Sequence, residues 1–349
     1  MKVGLFLDMR NPDRWRRCPI DLYEGWLARL AWAERSGIDA VWLTEHHLFD
    51  DGYLPQPLTF AAAIAARTEH LRIGTAILQA PLRPAIDIAE QGALVDIISG
   101  GRFELGLGAG YRVPEWEAFG ADGGRRFELL EERAAKVRQL WEEGGATPAP
   151  VQGRVPIWIG GEGPRGARIA GRLGEGLLAL KPELLPIYRE ALAGAGHDPT
   201  SAAMGGCANL ILADDPEAAW ARIRPHLEFQ WRSYFEYAAE GRPGGEGPAV
   251  DPDALRLTEG PPLLPRFDVV TPARALERLR PWLAELPARH VYFWGSIAGM
   301  DDDLVDRHVE LLAEELAPAL ASCSYSRGCS SSASRAAGGL WRREPCRLL

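Results

Sequence analysis

Short apolar runs alternate with segments of helical periodicity along this chain, and no other feature limits its fold as strongly. The runs are KVGLFL at 2–7, DAVWL at 39–43, LRIGTAIL at 71–78 and RFELGLG at 102–108. VPIWIG at 155–160, GLLAL at 176–180, CANLILA at 207–213 and HVYFW at 290–294 complete eight candidate strands. They are apolar nearly throughout instead of alternating, as strands buried on both faces are. Each has a helical segment nearby, so the expected fold is α/β, a (β/α)8 TIM barrel with an insertion. The main rival is a doubly wound open sheet. No G-x-G-x-x-G follows the first strand, where the chain reads LFLDMRNPD, and this disfavours the rival.

The helices carry their own punctuation. Asp21 and Glu24 have capping-box spacing ahead of Leu22, Trp26, Leu30 and Ala33, and Gly37 fits a helix stop. Residues 58–67 read as an alanine-rich helix, Pro84 suits a first turn, and Gly100-Gly101 ends the next helix. Phe127, Leu130, Ala134, Val137 and Trp141 form one apolar stripe. Further helices are expected at 165–173, at 216–239 and after Thr271-Pro272. The Gly/Pro-rich stretch 241–265 reads as an excursion within a single barrel domain over 1–320, either a lid or a plain surface loop. The serine-rich segment 321–349 reads as a disordered tail.

Several function classes are disfavoured. A net charge of −9 lacks the basic footprint of a nucleic-acid binder. No run of eighteen apolar residues suggests a membrane span, MKVGLFL lacks a signal-peptide pattern, and the expected location is the cytoplasm. Five widely spaced cysteines fit neither a disulfide framework nor a zinc knuckle. With scattered histidines and no H-E-x-x-H, no metal site is expected. Neither a G-x-S-x-G elbow nor a Walker A loop is present, so the reactive power is expected from an organic cofactor.

In a barrel the site forms at the C-terminal ends of the strands, where this chain puts its unusual residues. Glu45-His46-His47 follows the second strand, and one histidine is a candidate proton carrier. Thr75, Ala76 and Ile77 offer backbone against which a planar ring can lie. GLGAGY at 106–111 leaves room for such a ring, or relieves crowding at the barrel mouth. GGEGPRG at 160–166 joins a strand to a helix, with free amides and Arg165 suited to a phosphate. Trp42 and Trp158 read as core, and Trp294 as a pocket wall.

The segments GIDAVWLTEHHLFD, LRIGTAILQAPLRPAIDIAEQGALVDIISGGRFELGLGAGY, RRFELLEERAAKVRQLW and VPIWIGGEGPRGARIAGRLGEG, in this order, resemble the bacterial-luciferase-like monooxygenase family. The resemblance spans about residues 1–315 and is strongest through 180. It implies a barrel with an insertion, often dimeric, that uses reduced FMN or the deazaflavin F420. It also implies that His46 is the active-site histidine and that a non-prolyl cis peptide at Ala76-Ile77 supports the flavin ring. Glu162, Gly163 and Gly166 match the phosphate loop. Gly108 stands where luciferase has a reactive cysteine, and Ala109 where it has an arginine near the phosphate. Arg165 or Arg112 is the candidate replacement for that charge.

The resulting expectation is a flavin-dependent monooxygenase. It would use reduced FMN from a separate reductase, and oxygen, to oxidise a small organic substrate near His46. The alternatives are an F420-dependent oxidoreductase transferring hydride and a non-catalytic flavin-binding barrel.

Overall fold

The structure is a computed structural model that describes residues 1–241, 247 and 249–323. The expectation of a disordered tail concerns residues almost wholly outside that range. Apolar runs at the expected places become the strands β1 (Lys2–Leu7), β2 (Ala40–Leu43), β3 (Arg72–Thr75), β4 (Leu78–Gln79) and β5 (Phe103–Gly108). β6 (Ile157–Gly160), β7 (Gly176–Leu178) and β8 (Met204–Ala208) follow. Then come β9 (Leu210–Leu212), β10 (Asp268–Val270) and β11 (Ala288–Trp294). All except β9 and β10 belong to one parallel sheet in the order β3-β2-β1-β11-β8-β7-β6-β5-β4. β3 also pairs with β5, at Ile73–Phe103 and Gly74–Glu104, which closes the barrel.

Two strands differ from expectation. LRIGTAIL is one stave in two halves, because β3 and β4 both pair with β5 while Ala76-Ile77 between them forms a cis peptide. CANLILA contributes only its first two residues to the barrel. Its LIL portion is β9, which pairs with β10 in a separate two-stranded sheet. The barrel stave is MGGCA, whose glycines hide it from a hydropathy reading. A Cβ on Gly206 would stand 3.1 Å from Leu180 Cγ, and one on Gly205 3.2 Å from His290 Cβ.

The first helix, Pro19–Arg35, starts earlier than the capping-box spacing suggested. Pro19 opens it and Cys18 is its N-cap, so Asp21 lies inside the first turn, where its charge complements the dipole. Its end is as expected. Gly37 has φ +101°, Ile38 N donates to Ala33 O at 2.9 Å, and Gly37 N to Glu34 O at 3.1 Å, a Schellman motif. The helices Arg126–Glu142, Pro164–Leu173 and Pro216–Ala239 lie where expected, and the Thr271 side chain accepts from Arg274 N to cap Pro272–Ala284.

Inside the barrel Trp42, Trp158, Leu178 and Tyr292 form a buried plug, confirming the core assignment of both tryptophans. Small residues make room for it. A Cβ on Gly74 would lie 2.4 Å from Trp42, and one on Gly176 2.3 Å from Trp158. Beneath, Glu104 Oε2 accepts from Trp158 Nε1 at 2.7 Å and lies 3.2 Å from His290 Nε2, while Oε1 pairs with Arg72. Burial opposes ionisation of Glu104, but these partners outweigh it and hold the carboxyl down at about 2. This packed layer closes the N-terminal end, leaving the opposite end to hold a ligand.

Candidate functional site

Above the plug lies a cavity of about 900 Å³, rimmed by the loops at the C-terminal strand ends. His46, Ala76, Ile77, Ala109, Glu162, Gly163, Arg165, Gly166 and Trp294 all line it. Thr75 does not: it is fully buried, and its hydroxyl donates to Gly106 O at 2.7 Å and accepts from Gly106 N at 2.9 Å. Thr75 ties two staves together instead of facing a ligand.

His46 is held by a network that the sequence did not reveal. Its Nδ1 lies 2.8 Å from Glu115 Oε1. His47 N donates to the same oxygen at 2.7 Å, and Gln79 Nε2 donates to Glu115 Oε2 at 2.9 Å. Burial pushes the Glu115 carboxyl up, but the bonds from His46, His47 and Gln79 prevail and hold it below the ordinary range. An ionised Glu115 only accepts, so His46 Nδ1 carries a proton and Nε2 is the ring position left to exchange one. His47 turns away, its Nε2 3.0 Å from Glu45 Oε1, an oxygen shared with Arg83.

Glu115 and Gln79 escaped the sequence reading for a physical reason. An acid in the first turn of Val113–Phe119 reads as a dipole complement, and Gln79 follows an apolar strand with no motif around it. Only the fold brings them to His46.

The small residues of GLGAGY answer to neighbouring strands. A Cβ on Gly106 would fall 1.8 Å from Thr75 O, and one on Gly108 2.6 Å from Ile77. A Cβ on Gly160 would meet Ile77 at 2.4 Å. The Ile77 side chain therefore packs among glycines and would have to shift to admit a Cβ at Gly108.

The phosphate-loop candidates sit at the start of Pro164–Leu173. Gly163 is its N-cap with no side-chain cap, leaving first-turn amides for an anion. Gly161 and Gly166 pack so closely that a Cβ on either would lie 2.7 Å from the other's Cα. The Glu162 carboxylate is engaged by Lys181 Nζ at 2.9 Å. The Arg165 guanidinium lies 4.4 Å from the centre of the Phe127 ring, at the cavity edge. Arg112 is unsuited to the phosphate: it is buried, donates to Glu240 and to the carbonyl of His47, and stacks on Tyr237.

The remaining wall is aromatic. Tyr53, Tyr111, Trp231, Tyr234 and Phe235 face the cavity, and Leu263, Leu264 and Pro265 bring the 241–265 excursion to it. Behind Tyr53 and Tyr234, Arg10 Nε pairs with Asp51 at 2.6 Å and Nη2 donates to Ser233 at 2.5 Å. This pins the long helix Pro216–Ala239 onto the barrel. Trp294 Nε1 donates to Asn209 Oδ1 at 3.0 Å.

The lining suits a phosphorylated flavin or deazaflavin. Among the described residues, buried Gln79 Oε1 and Asn209 Nδ2 have no hydrogen-bond partner, and both residues line the cavity. An acceptor and a donor so placed match a ring system edged by N–H and C=O groups, and the uncapped helix start matches its phosphate. Among the described residues no cluster of metal-binding side chains occurs, and no helix is long and apolar enough to cross a membrane.

Comparisons agree with this geometry. The oxygenase component of flavin-dependent trigonelline monooxygenase from Acinetobacter baylyi is 29% identical over 186 residues, 49% of this chain and 51% of that protein. F420-dependent glucose-6-phosphate dehydrogenase from Nocardia farcinica is 28% identical over 323 residues, 82% of this chain and 91% of that protein. The chain spans only about half the length of the first curated relatives it matches. In fold it is similar to the monooxygenase RslO1 from Streptomyces bottropensis, with a TM-score of 0.71 at 22% identity, covering 91% of this chain and 99% of that one. It is also similar to an F420-dependent secondary alcohol dehydrogenase, with a TM-score of 0.66 at 19% identity, covering 91% and 98%. Residues 1–290 match the sequence model of the luciferase-like monooxygenases. The chain therefore belongs to the luciferase-like monooxygenase family.

Proposed function

We propose that this chain is the oxygenase component of a two-protein system, using reduced FMN from a separate reductase and molecular oxygen to oxidise a small organic substrate. The observation that carries the reading is the wall beside His46, aromatic from Tyr53 to Phe235, which keeps water from a reduced ring exposed to oxygen. FMN, when bound, supplies the oxygen chemistry. Ala76 and Ile77 form the ledge for its ring, and Gly163, Gly166 and the Arg165 side chain hold its phosphate. His46, its Nδ1 proton fixed by Glu115, accepts or returns a proton through Nε2.

A second reading is hydride transfer with F420, favoured by that same proton placement. With Nδ1 committed to Glu115, Nε2 of His46 is placed to take an alcohol proton. Oxygen uptake and product formation with reduced FMN, set against anaerobic turnover with F420, separate the two. Oxygen-dependent product with FMN is expected; turnover only with F420 and without oxygen overturns the oxygenase reading. The second copy implied by the family resemblance would meet the exposed stripe Ile86, Leu94, Ile97 and Ile98 of the helix Ala85–Ser99. A dimer in sedimentation that dissociates on Leu94→Glu is the expected result.

A further inference from the structure

Arg112 ties three separate parts of the chain together at one point. It is the N-cap residue of the helix Val113–Phe119, which carries Glu115, and it is buried. One edge of its guanidinium faces the loop that carries His46. Nη1 donates to the carbonyl oxygens of His47 at 2.5 Å and of Leu48 at 3.3 Å. The other edge faces the end of the long helix Pro216–Ala239. There Nε donates to Glu240 Oε2 at 2.9 Å, and Nη2 donates to the same oxygen. Tyr237 and Phe49 pack against the guanidinium, with ring centres 4.4 and 5.1 Å from its carbon.

The long helix roofs the cavity, which Trp231, Tyr234, Phe235 and Ala238 line at helical spacing. Its middle is fixed to the barrel by Ser233, which accepts from Arg10, and by Gln230 Oε1, which accepts from Ala298 N at 2.8 Å. Beyond Ser233 it is held by the Tyr234–Tyr53 hydroxyl contact at 2.9 Å, by Tyr237 accepting from Asp50 N at 3.4 Å, and by Glu240 on Arg112. The Glu240 bonds are the charge-assisted ones, roughly twice as strong as neutral ones. Directly after them Gly241, with φ +73°, turns so close to the helix start that an added Cβ would stand 2.9 Å from Val113 Cβ. The planar fork of an arginine serves both edges at once, which a point charge on a flexible stem does not.

We propose that Arg112 is a positioning residue: by joining Glu240 to the His46 loop it holds the last turns of the roof helix over the cavity and controls how readily a ring-sized apolar molecule enters. This rests on the proposed function only in taking the cavity as the ligand site. Its test uses neither cofactor nor turnover, so failure of the oxygenase reading leaves it to stand or fall separately.

The probe is N-phenylmaleimide, and the readout is the rate at which it alkylates Cys207, which lines the cavity. The full-length chain carries Ser at positions 18, 323, 329 and 346, so that mass spectrometry follows Cys207 alone. Glu240→Ala should speed alkylation by about tenfold, the worth of one charge-assisted hydrogen bond. Glu240→Gln, which keeps an acceptor without the charge, should fall between the two. Arg112→Lys should resemble Glu240→Ala, because the charge is kept and the fork is lost. Glu240 is half-exposed, so added salt should speed alkylation in the parent and have little effect in Glu240→Ala. Melting temperatures close to the parent's show that the roof opens without unfolding, and the Glu240 variants carry the test if Arg112→Lys does not fold. A rate unchanged by Glu240→Ala, no alkylation in either included, or an equal salt effect in parent and variant, overturns the proposal.

Discussion

Among the histidine–glutamate pairs of this barrel, two stand at opposite ends. His290 Nε2 lies 3.2 Å from Glu104 Oε2 near the N-terminal strand ends, and His46 Nδ1 lies 2.8 Å from Glu115 Oε1 beyond the C-terminal ends. Both glutamates are buried and both carboxyls are held below their ordinary range. Their surroundings differ. Glu104 is closed in by Arg72, Trp158 and His290, with Trp42 packed edge-on against the His290 ring. His46 lines a cavity of about 900 Å³. A buried His–Glu pair is therefore no mark of a site in itself: one belongs to the packed layer and the other borders the open cavity. What separates them is which end of the strands they occupy.

The comparison breaks most directly at the two pairs themselves. His46→Ala should lower turnover by roughly 10²- to 10⁴-fold, the range for loss of a general acid or base, with little change in melting temperature. Unchanged turnover with either cofactor would remove His46 from the chemistry. Glu104→Ala should do the reverse. It strands Arg72 and the Trp158 N–H in the core, a loss of about 3–5 kcal/mol in urea unfolding. If Glu104→Ala unfolds like wild type, the lower pair is not the plug described here.

The barrel was legible because parallel strands buried on both faces leave unbroken apolar runs such as DAVWL and VPIWIG. It was least legible where neighbours forbid side chains. MGGCA makes a stave although glycine weakens strands, since its neighbours crowd the space a Cβ would need, and the more apolar LIL pairs elsewhere. The loop residues His46, Gly163 and Trp294 showed in sequence because they directly follow or end strands. Glu115 and Gln79 did not, being 69 and 33 positions from His46 (115 − 46 and 79 − 46), with no local pattern. Thr75 reads in sequence as backbone for a ring together with Ala76 and Ile77, but it is fully buried below the cavity and its side chain bridges to Gly106.

Another buried histidine sharpens the contrast through pH. His308 accepts from Leu212 N at Nδ1 and lies 2.9 Å from Trp294 O at Nε2, so the neutral ring spans acceptor and donor roles. Burial lowers its pKa from 6.5 to about 4. The unfolded chain therefore binds a proton between pH 6.5 and 4 that the folded chain refuses. Stability contributed by the neutral ring is complete above pH 6.5 and is lost on acidification, by roughly 3 kcal/mol at pH 4. Urea midpoints across this range should fall in the wild type and fall less in His308→Gln, which starts from a lower value. Parallel slopes would show that His308 does not carry the effect.

The smallest expected effect concerns the anion end, where two neighbouring glycines should behave differently. At Gly166 an added Cβ lies 2.7 Å from Gly161 Cα, so Gly166→Ala strains the loop by about 1–3 kcal/mol and weakens every ligand that depends on it. At Gly163 no atom stands within 4 Å of the added carbon and φ is −146°, so Gly163→Ala should leave stability within about 0.5 kcal/mol. If that open space is where a phosphate rests, the same methyl group intrudes on it. FMN and riboflavin differ by that phosphate alone. Gly163→Ala should weaken FMN severalfold and leave riboflavin nearly unchanged, as read by flavin fluorescence quenching. Equal losses for both would move the phosphate away from the helix start, while a loss for FMN alone ties the cofactor's charge to the amides that no side chain caps.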